Sequence, residues 1–183
     1  VCGQTPQARI VEMAIKHDIA IYSAHTSLDV AADGINTRLA KKIGLKNSRP
    51  LIENGLGAIG ELEEEMNYTD FIGKIRALLD CTYVRYTRPK KEQVKTIALC
   101  GGSGAEFIGE AIAQGADVYI TADCKYHEFQ DAEGRIGLMD IDHWISERHA
   151  REIFLDFIGN LGLDCRISKT DKTPILLWQE QKN

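Results

Sequence analysis

An α/β protein is the fold class this sequence predicts, and three observations predict it. Short apolar runs at residues 19–23, 94–100, 118–121 and 136–141 alternate with segments whose apolar residues recur at helical spacing. A glycine turn, Gly101-Gly102-Ser103-Gly104, joins the second run directly to a helical pattern. Hydrophobic residues make up 44% of the 183 and charged residues 27%, a balance that supports a packed core. The expected architecture is two-lobed, with a largely parallel sheet covered by helices on both faces. The lobes are residues 1–88 and 89–183, divided at the polar connector that begins Arg88-Pro89-Lys90-Lys91.

Thr5-Pro6 reads as the N-cap and first residue of a helix, whose apolar side is Ile10, Val11, Ala14 and Ile15. Residues 19–23 follow as a short buried strand. Residues 25–29 form the loop at its carboxyl end, where ligand sites of open α/β sheets collect. Asp33-Gly34 leads into a helix carrying Ile35, Leu39, Ala40 and Ile43, closed by Gly44. Residues 51–62 hold three glycines, but Glu61, Glu63, Glu64 and Glu65 would repel phosphate, so the stretch reads as strand and turns. Thr69 or Asp70 caps a helix through Phe71, Ile75 and Leu79, and residues 82–87 alternate as a strand.

In the second half, the strand at 94–100 passes through the glycine turn into a helix with Phe107, Ile108, Ala111 and Ile112. That context suits an anion at a helix N-terminus and equally a plain tight turn. The strand at 118–121 ends at Asp123, with His127 four residues on. The strand at 136–141 delivers His143, and a helix runs on to about residue 159. Residues 165–168 and 175–178 read as closing strands.

A net charge of −5 with no strongly basic run speaks against a nucleic-acid partner. No apolar run approaches the roughly 20 residues that span a bilayer. The opening Val1-Cys2-Gly3-Gln4-Thr5-Pro6 lacks the features of a signal peptide. Five scattered cysteines, odd in number and never as C-x-x-C, read as reduced thiols of a cytoplasmic protein.

The chemistry concentrates in two segments of one grammar. His143 and Glu147 are four residues apart where a strand gives way to a helix, and His25 and Asp29 repeat that spacing after residues 19–23. Residues at i and i+4 share a helix face, and imidazole with carboxylate suits Zn, Fe, Mn or Co. Spacing alone leaves a solvated surface pair open for each, and His25 also reads as a cap. The shared strand-end context favours one site assembled from both.

Taken together, Tyr22-Ser23-Ala24-His25-Thr26-Ser27-Leu28-Asp29, the stretch at 55–62, Leu99-Cys100-Gly101-Gly102-Ser103-Gly104, Thr121-Ala122-Asp123-Cys124-Lys125-Tyr126-His127 and His143-Trp144-Ile145-Ser146-Glu147 resemble the NIF-three-like family in order and spacing. Its bacterial members carry the name GTP cyclohydrolase 1 type 2 homologue. The resemblance implies a dinuclear metal centre between two α/β lobes, in homo-oligomers built as hexameric rings. It implies Asp29 and His143 as metal ligands and Glu147 as the bridging carboxylate. His25 would stand beside the centre, and Asp123 and His127 would line the cleft, with His25 or His127 moving protons. The implied activity is hydrolysis of a nucleotide or related small molecule by metal-activated water. The alternative is a non-catalytic metal-binding ring protein acting through protein partners. Two departures stand out. The family's first lobe normally begins with a unit ending in a His-His pair that supplies further ligands, and no His-His occurs here. Residues 1–88 are therefore expected to be the remainder of that lobe, leaving a centre of two metal ions or fewer. Asp142 stands where the family usually has Gly.

Overall fold

The computed structural model describes residues 3–178. In chain order the elements are α1 (Pro6–Lys16), α2 (Thr26–Asp29), α3 (Ile35–Ile43), β1 (Lys46–Arg49), β2 (Ala58–Asn67), α4 (Tyr68–Leu78), β3 (Arg85–Tyr86) and β4 (Gln93–Ser103). A 3-10 turn (Ala105–Phe107) then precedes α5 (Ile108–Ala113), β5 (Val118–Ala122), α6 (Tyr126–Ala132), β6 (Gly137–Asp140), α7 (His143–Glu147) and α8 (Ala150–Gly159).

One six-stranded sheet, in the order β1-β2-β4-β5-β6-β3, organises the fold. Alternation along its strands sends side chains to two cores. Ile97 and Leu99 of β4, Val118 and Ile120 of β5 and Met139 of β6 pack against α3, α4 and α7, where Leu39, Phe71, Ile75 and Ile145 are buried. Ala98, Cys100, Tyr119 and Leu138 face the other way, against Ile108 and Ala111 of α5 and Ala132 of α6. The α/β class with helices on both faces is what the sequence predicts.

Parallel pairing is narrower than the expected largely parallel sheet. It joins β4 to β5 and β5 to β6, the three strands buried on both faces. The remaining pairings, β1 with β2, β2 with β4 and β3 with β6, are antiparallel. The expected boundary at residues 88/89 does not break the sheet, because β2 hydrogen-bonds to β4 and β3 to β6 across it. One sheet therefore includes strands from both sides of that position.

Local signals hold at several ends. Thr5 caps α1 through Ala8 N–H, and Gly44 closes α3 in the left-handed region at φ 89°. At α4 the cap is Asn67, which accepts from Thr69 N–H, two positions before Thr69 and three before Asp70. The run 19–23 is not a strand; it is irregular, and Ile19, Ile21 and Tyr22 are exposed. Among the described residues nothing pairs with it, and an extended segment without a ladder partner is no strand. The closing strands expected at 165–168 and 175–178 are likewise irregular. The single helix expected from 143 to 159 is divided into α7 and α8 at Arg148 and His149, which keep right-handed dihedrals.

Candidate functional site

Three parallel strands end side by side, and each contributes one part of the site. β4 supplies Gly101 and Gly102, the turn after β5 supplies Asp123, and the turn after β6 supplies Asp142 and His143. This is the carboxyl edge of the sheet, the usual ligand position of open α/β folds.

Asp142 starts α7. One carboxylate oxygen accepts from Ile145 N–H at 3.2 Å and the other from the Thr173 hydroxyl at 2.9 Å, at ordinary dihedrals of φ −58° and ψ 133°. The helix cap uses a side-chain acceptor that Gly would lack. With the helix begun there, His143 and Glu147 fall on one face one turn apart, and His143 Nε2 lies 3.3 Å from Glu147 Oε2.

The other ring nitrogen, Nδ1, lies 2.6 Å from Asp123 Oδ2. An ionised carboxylate only accepts, so Nδ1 carries the proton and donates it. Nε2 then presents its lone pair to Glu147. Two electron-rich groups facing each other call for a proton or a cation between them. Protonation is favoured accordingly. Burial works to lower the His143 pKa, but the Asp123 hydrogen bond and the Glu147 charge outweigh it and raise the value.

Gly102 leaves room for the pair. At φ 67° it occupies the left-handed region, and a Cβ there would lie 2.2 Å from Glu147 Oε1 and 3.4 Å from His143 Nε2. Its N–H donates to Ser146 Oγ on α7 at 2.8 Å, and the Ser146 hydroxyl donates to the His143 carbonyl at 2.8 Å. The Gly101 N–H goes to Asn36 Oδ1 and the Gly104 N–H to Thr121 Oγ1. With these donors consumed internally, and only a 3-10 turn and a six-residue helix beyond, the tight-turn reading of residues 101–104 holds.

Asp29 arrives from the other half of the chain, at the end of α2, half-buried. Burial and then the Glu147 charge raise its pKa, while His25 and His143 pull it down. Asp29 thus lies within electrostatic reach of Glu147, His25 and His143. Buried Asn36 ties the halves together, donating to the Asp29 carbonyl at 3.2 Å while accepting from Gly101 N–H at 2.8 Å. Nearby, burial followed by the Asp29 charge pushes the Cys100 thiol up to about 12, so without a metal it stays protonated.

His25 is exposed at the N-cap position of α2, with Nδ1 3.3 Å from Thr26 Oγ1. His127 is exposed on α6, its Nδ1 3.1 Å from Gln130 Oε1 and its ring edge-on to Tyr126. Among the described residues neither histidine hydrogen-bonds to His143 or Glu147. Among them, too, no three His, Cys, Asp or Glu side chains stand close enough together to hold a metal ion. The structure thus brings His143, Glu147 and Asp123 into contact, sets Asp29 and His25 within electrostatic reach, and leaves His127 bonded elsewhere. Asn36, Ser146 and Thr121 escaped sequence reasoning, since no spacing rule marks a residue that bonds across the fold.

Fold and site define an α/β protein with a histidine–carboxylate centre at the carboxyl edge of its parallel strands. The sequence pattern of the Duf34/NIF3 (NGG1p interacting factor 3) family matches residues 1–174, and the chain belongs to that family. Curated relatives named GTP cyclohydrolase 1 type 2 homolog include those of Nostoc sp. (32% identical, over 85% of this chain) and Clostridium perfringens (37%, over 80%). The matches span 62% and 59% of those relatives' own lengths. Among solved structures, a Staphylococcus aureus protein superposes with a TM-score of 0.83 at 26% identity, covering 95% of this chain and 74% of that one. Reduced HcgD from Methanocaldococcus jannaschii gives 0.71 at 26%, covering 84% and 62%. No described helix is long and apolar enough to cross a membrane.

Proposed function

We propose that this chain carries part of a metal-dependent hydrolase site, in which His143 and Glu147 supply two ligands of a divalent ion and Asp29, within electrostatic reach of them, would have to move closer to supply a third. The observation that carries the reading is His143 Nε2 facing the Glu147 carboxylate at 3.3 Å while Asp123 fixes the ring from behind. A ligating histidine commonly donates its second ring N–H to a carboxylate in this way. The donors are nitrogen and oxygen without thiolate, which suits Zn, Fe, Mn or Co. Such an ion would supply a water of lowered pKa and positive charge for a developing oxyanion.

The chain's own residues divide the remaining work. Asp123 holds the His143 tautomer, Gly102 keeps the space beside the pair free of a side chain, and Asn36 holds Asp29 to the glycine turn. His25, exposed and within electrostatic reach of Asp29, is the group placed to move a proton. His127 has no such contact. The name borne by the relatives makes GTP the first nucleotide to assay.

One observation favours a second reading, a metal-binding ring protein that works through partners. Helix α1 buries none of its residues and exposes Ile10, Met13 and Ile15, with Ile21 and Tyr22 close behind in sequence. Exposed apolar patches of this kind mark interaction surfaces.

Elemental analysis and zinc titration of the chain and of Glu147→Ala test the proposal, with GTP turnover measured alongside. Zinc bound by the parent and lost from the folded variant supports the site, and accompanying loss of turnover supports the hydrolase. Zinc binding without turnover in the parent favours the partner reading. Equal zinc uptake by both proteins overturns the site.

A further inference from the structure

We propose that Arg85 and Asp140 are positioning residues for His143, acting through the turn at Asp123-Cys124. The inference rests on the reading of His143 as a ligand through Nε2, and concerns what fixes that nitrogen's role.

Asp140 ends β6 and is buried, 1% exposed, a costly place for a carboxylate unless each oxygen is bonded. Both oxygens are bonded. Oδ2 accepts from Cys124 N–H at 2.6 Å and from Arg85 Nη2 at 2.8 Å, and Oδ1 accepts from Arg85 Nε at 3.3 Å. Arg85 Nη2 also donates to the Cys124 carbonyl at 3.0 Å. The two backbone polar groups of Cys124 are thus held by the two members of one ion pair. Arg85 reaches this position because β3 pairs with β6 in the register Arg85↔Asp140, and its guanidinium lies over the Phe129 ring, 5.1 Å from the centroid.

The residue directly before the clamped one is Asp123, at φ 59°, a left-handed conformation that a non-glycine residue keeps only when its surroundings impose it. From there its carboxylate accepts the His143 Nδ1 hydrogen bond at 2.6 Å, although the side chain is half exposed and free to solvate instead. The clamp supplies what the exposed side chain lacks, a fixed backbone from which to point. Its consequence is chemical. With Asp123 in place the ring proton sits on Nδ1 and Nε2 is the lone-pair donor; with the turn released the tautomer is no longer set by the protein.

A purely structural role at the sheet edge would change stability and leave the tautomer alone, so the tautomer is the measurement. The ring nitrogens of the 15N-labelled chain are followed by long-range proton–nitrogen correlation, at a pH well above the His143 pKa, with His143→Gln used for assignment. The parent is expected to carry the proton on Nδ1, and Asp123→Ala to move it to Nε2. Arg85→Gln and Asp140→Asn are expected to move it the same way, with Arg85→Lys recovering part of the parent signal. Arg85→Lys keeps a cation beside the buried Asp140 carboxylate, so it still reports on the clamp if Asp140→Asn does not fold. Zinc titration in parallel is expected to weaken by about 10- to 100-fold in Arg85→Gln, the usual effect of losing an outer partner of a ligand. An unchanged tautomer in folded Arg85→Gln overturns the clamp, whatever zinc does. A shifted tautomer with unchanged zinc affinity upholds the clamp and removes the metal reading on which it was placed.

Discussion

Replacing Gly102 with alanine adds one methyl group at the point where β4 meets the His143–Glu147 pair. Two costs can be separated. The backbone there lies at φ 67°, which an L-residue adopts at a cost of roughly 1–2 kcal/mol. The new Cβ would also stand 2.2 Å from Glu147 Oε1, closer than any real contact, and 3.2 Å from its Cδ. Those atoms are the free end of a flexible side chain, so a change of rotamer relieves the clash. That rotation withdraws the carboxylate from His143 Nε2. Denaturant unfolding of Gly102→Ala should therefore show a loss of about 1–2 kcal/mol. For a chain of this size that corresponds to roughly 2–8 °C in Tm. Zinc affinity should fall by about tenfold or more, a far larger functional than structural effect. Unchanged zinc binding would refute the assignment of the pair. A stability loss above about 4 kcal/mol would show that Glu147 cannot move aside and that the pair is rigidly held.

Three further outcomes are expected. Gly73, exposed in the middle of α4 with open space around a Cβ, should give a protein more stable by about 0.5–1 kcal/mol as Gly73→Ala, and a fall in midpoint would contradict the helix geometry. Tyr119 donates its buried hydroxyl to the Gly104 carbonyl at 2.7 Å, which also accepts from Phe107 N–H at 3.0 Å; Tyr119→Phe leaves that carbonyl one partner and should cost about 0.5–1.5 kcal/mol in the same assay, a neutral result showing that the bond contributes nothing. The folded His143 pKa lies above its ordinary value, so the stability it contributes is complete below that value and fades as pH rises through the folded one. In metal-free protein the advantage of the parent over Asp123→Asn should shrink across that alkaline-going window, and a difference that grows with pH would reverse the assigned sign.

What the sequence made legible follows the range of the interactions. The Thr5 cap, the Gly44 stop and the shared face of His143 and Glu147 are set within a turn of helix, and each reads directly from spacing. Asp29 and Asp123 were found by their place after apolar runs, together with the family resemblance. The failures share a cause as well. Residues 19–23 have a strand's composition, but a strand exists only with a neighbour to bond, and composition does not name the neighbour. The pairing of β3 with β6, the bond from Gly101 to Asn36 and the clamp on Cys124 join residues separated by 16 to 65 positions along the chain. Nothing local distinguishes such a residue from an ordinary polar one.

The uneven anchoring of the two sides of the site has a kinetic consequence. Gly102, Asp123 and His143 stand at the ends of strands in the centre of the sheet, whereas Asp29 ends a segment in which α1 and α2 bury no residue. Amide exchange should accordingly be fast from residue 6 to residue 29 and slow along β4, β5 and β6, because opening the first region exposes little apolar area. The two sides then have different lifetimes, one breathing many times while the other stays shut. Capture and escape of whatever binds between them would follow the rhythm of the loose side, with Asn36 as the latch that sets it.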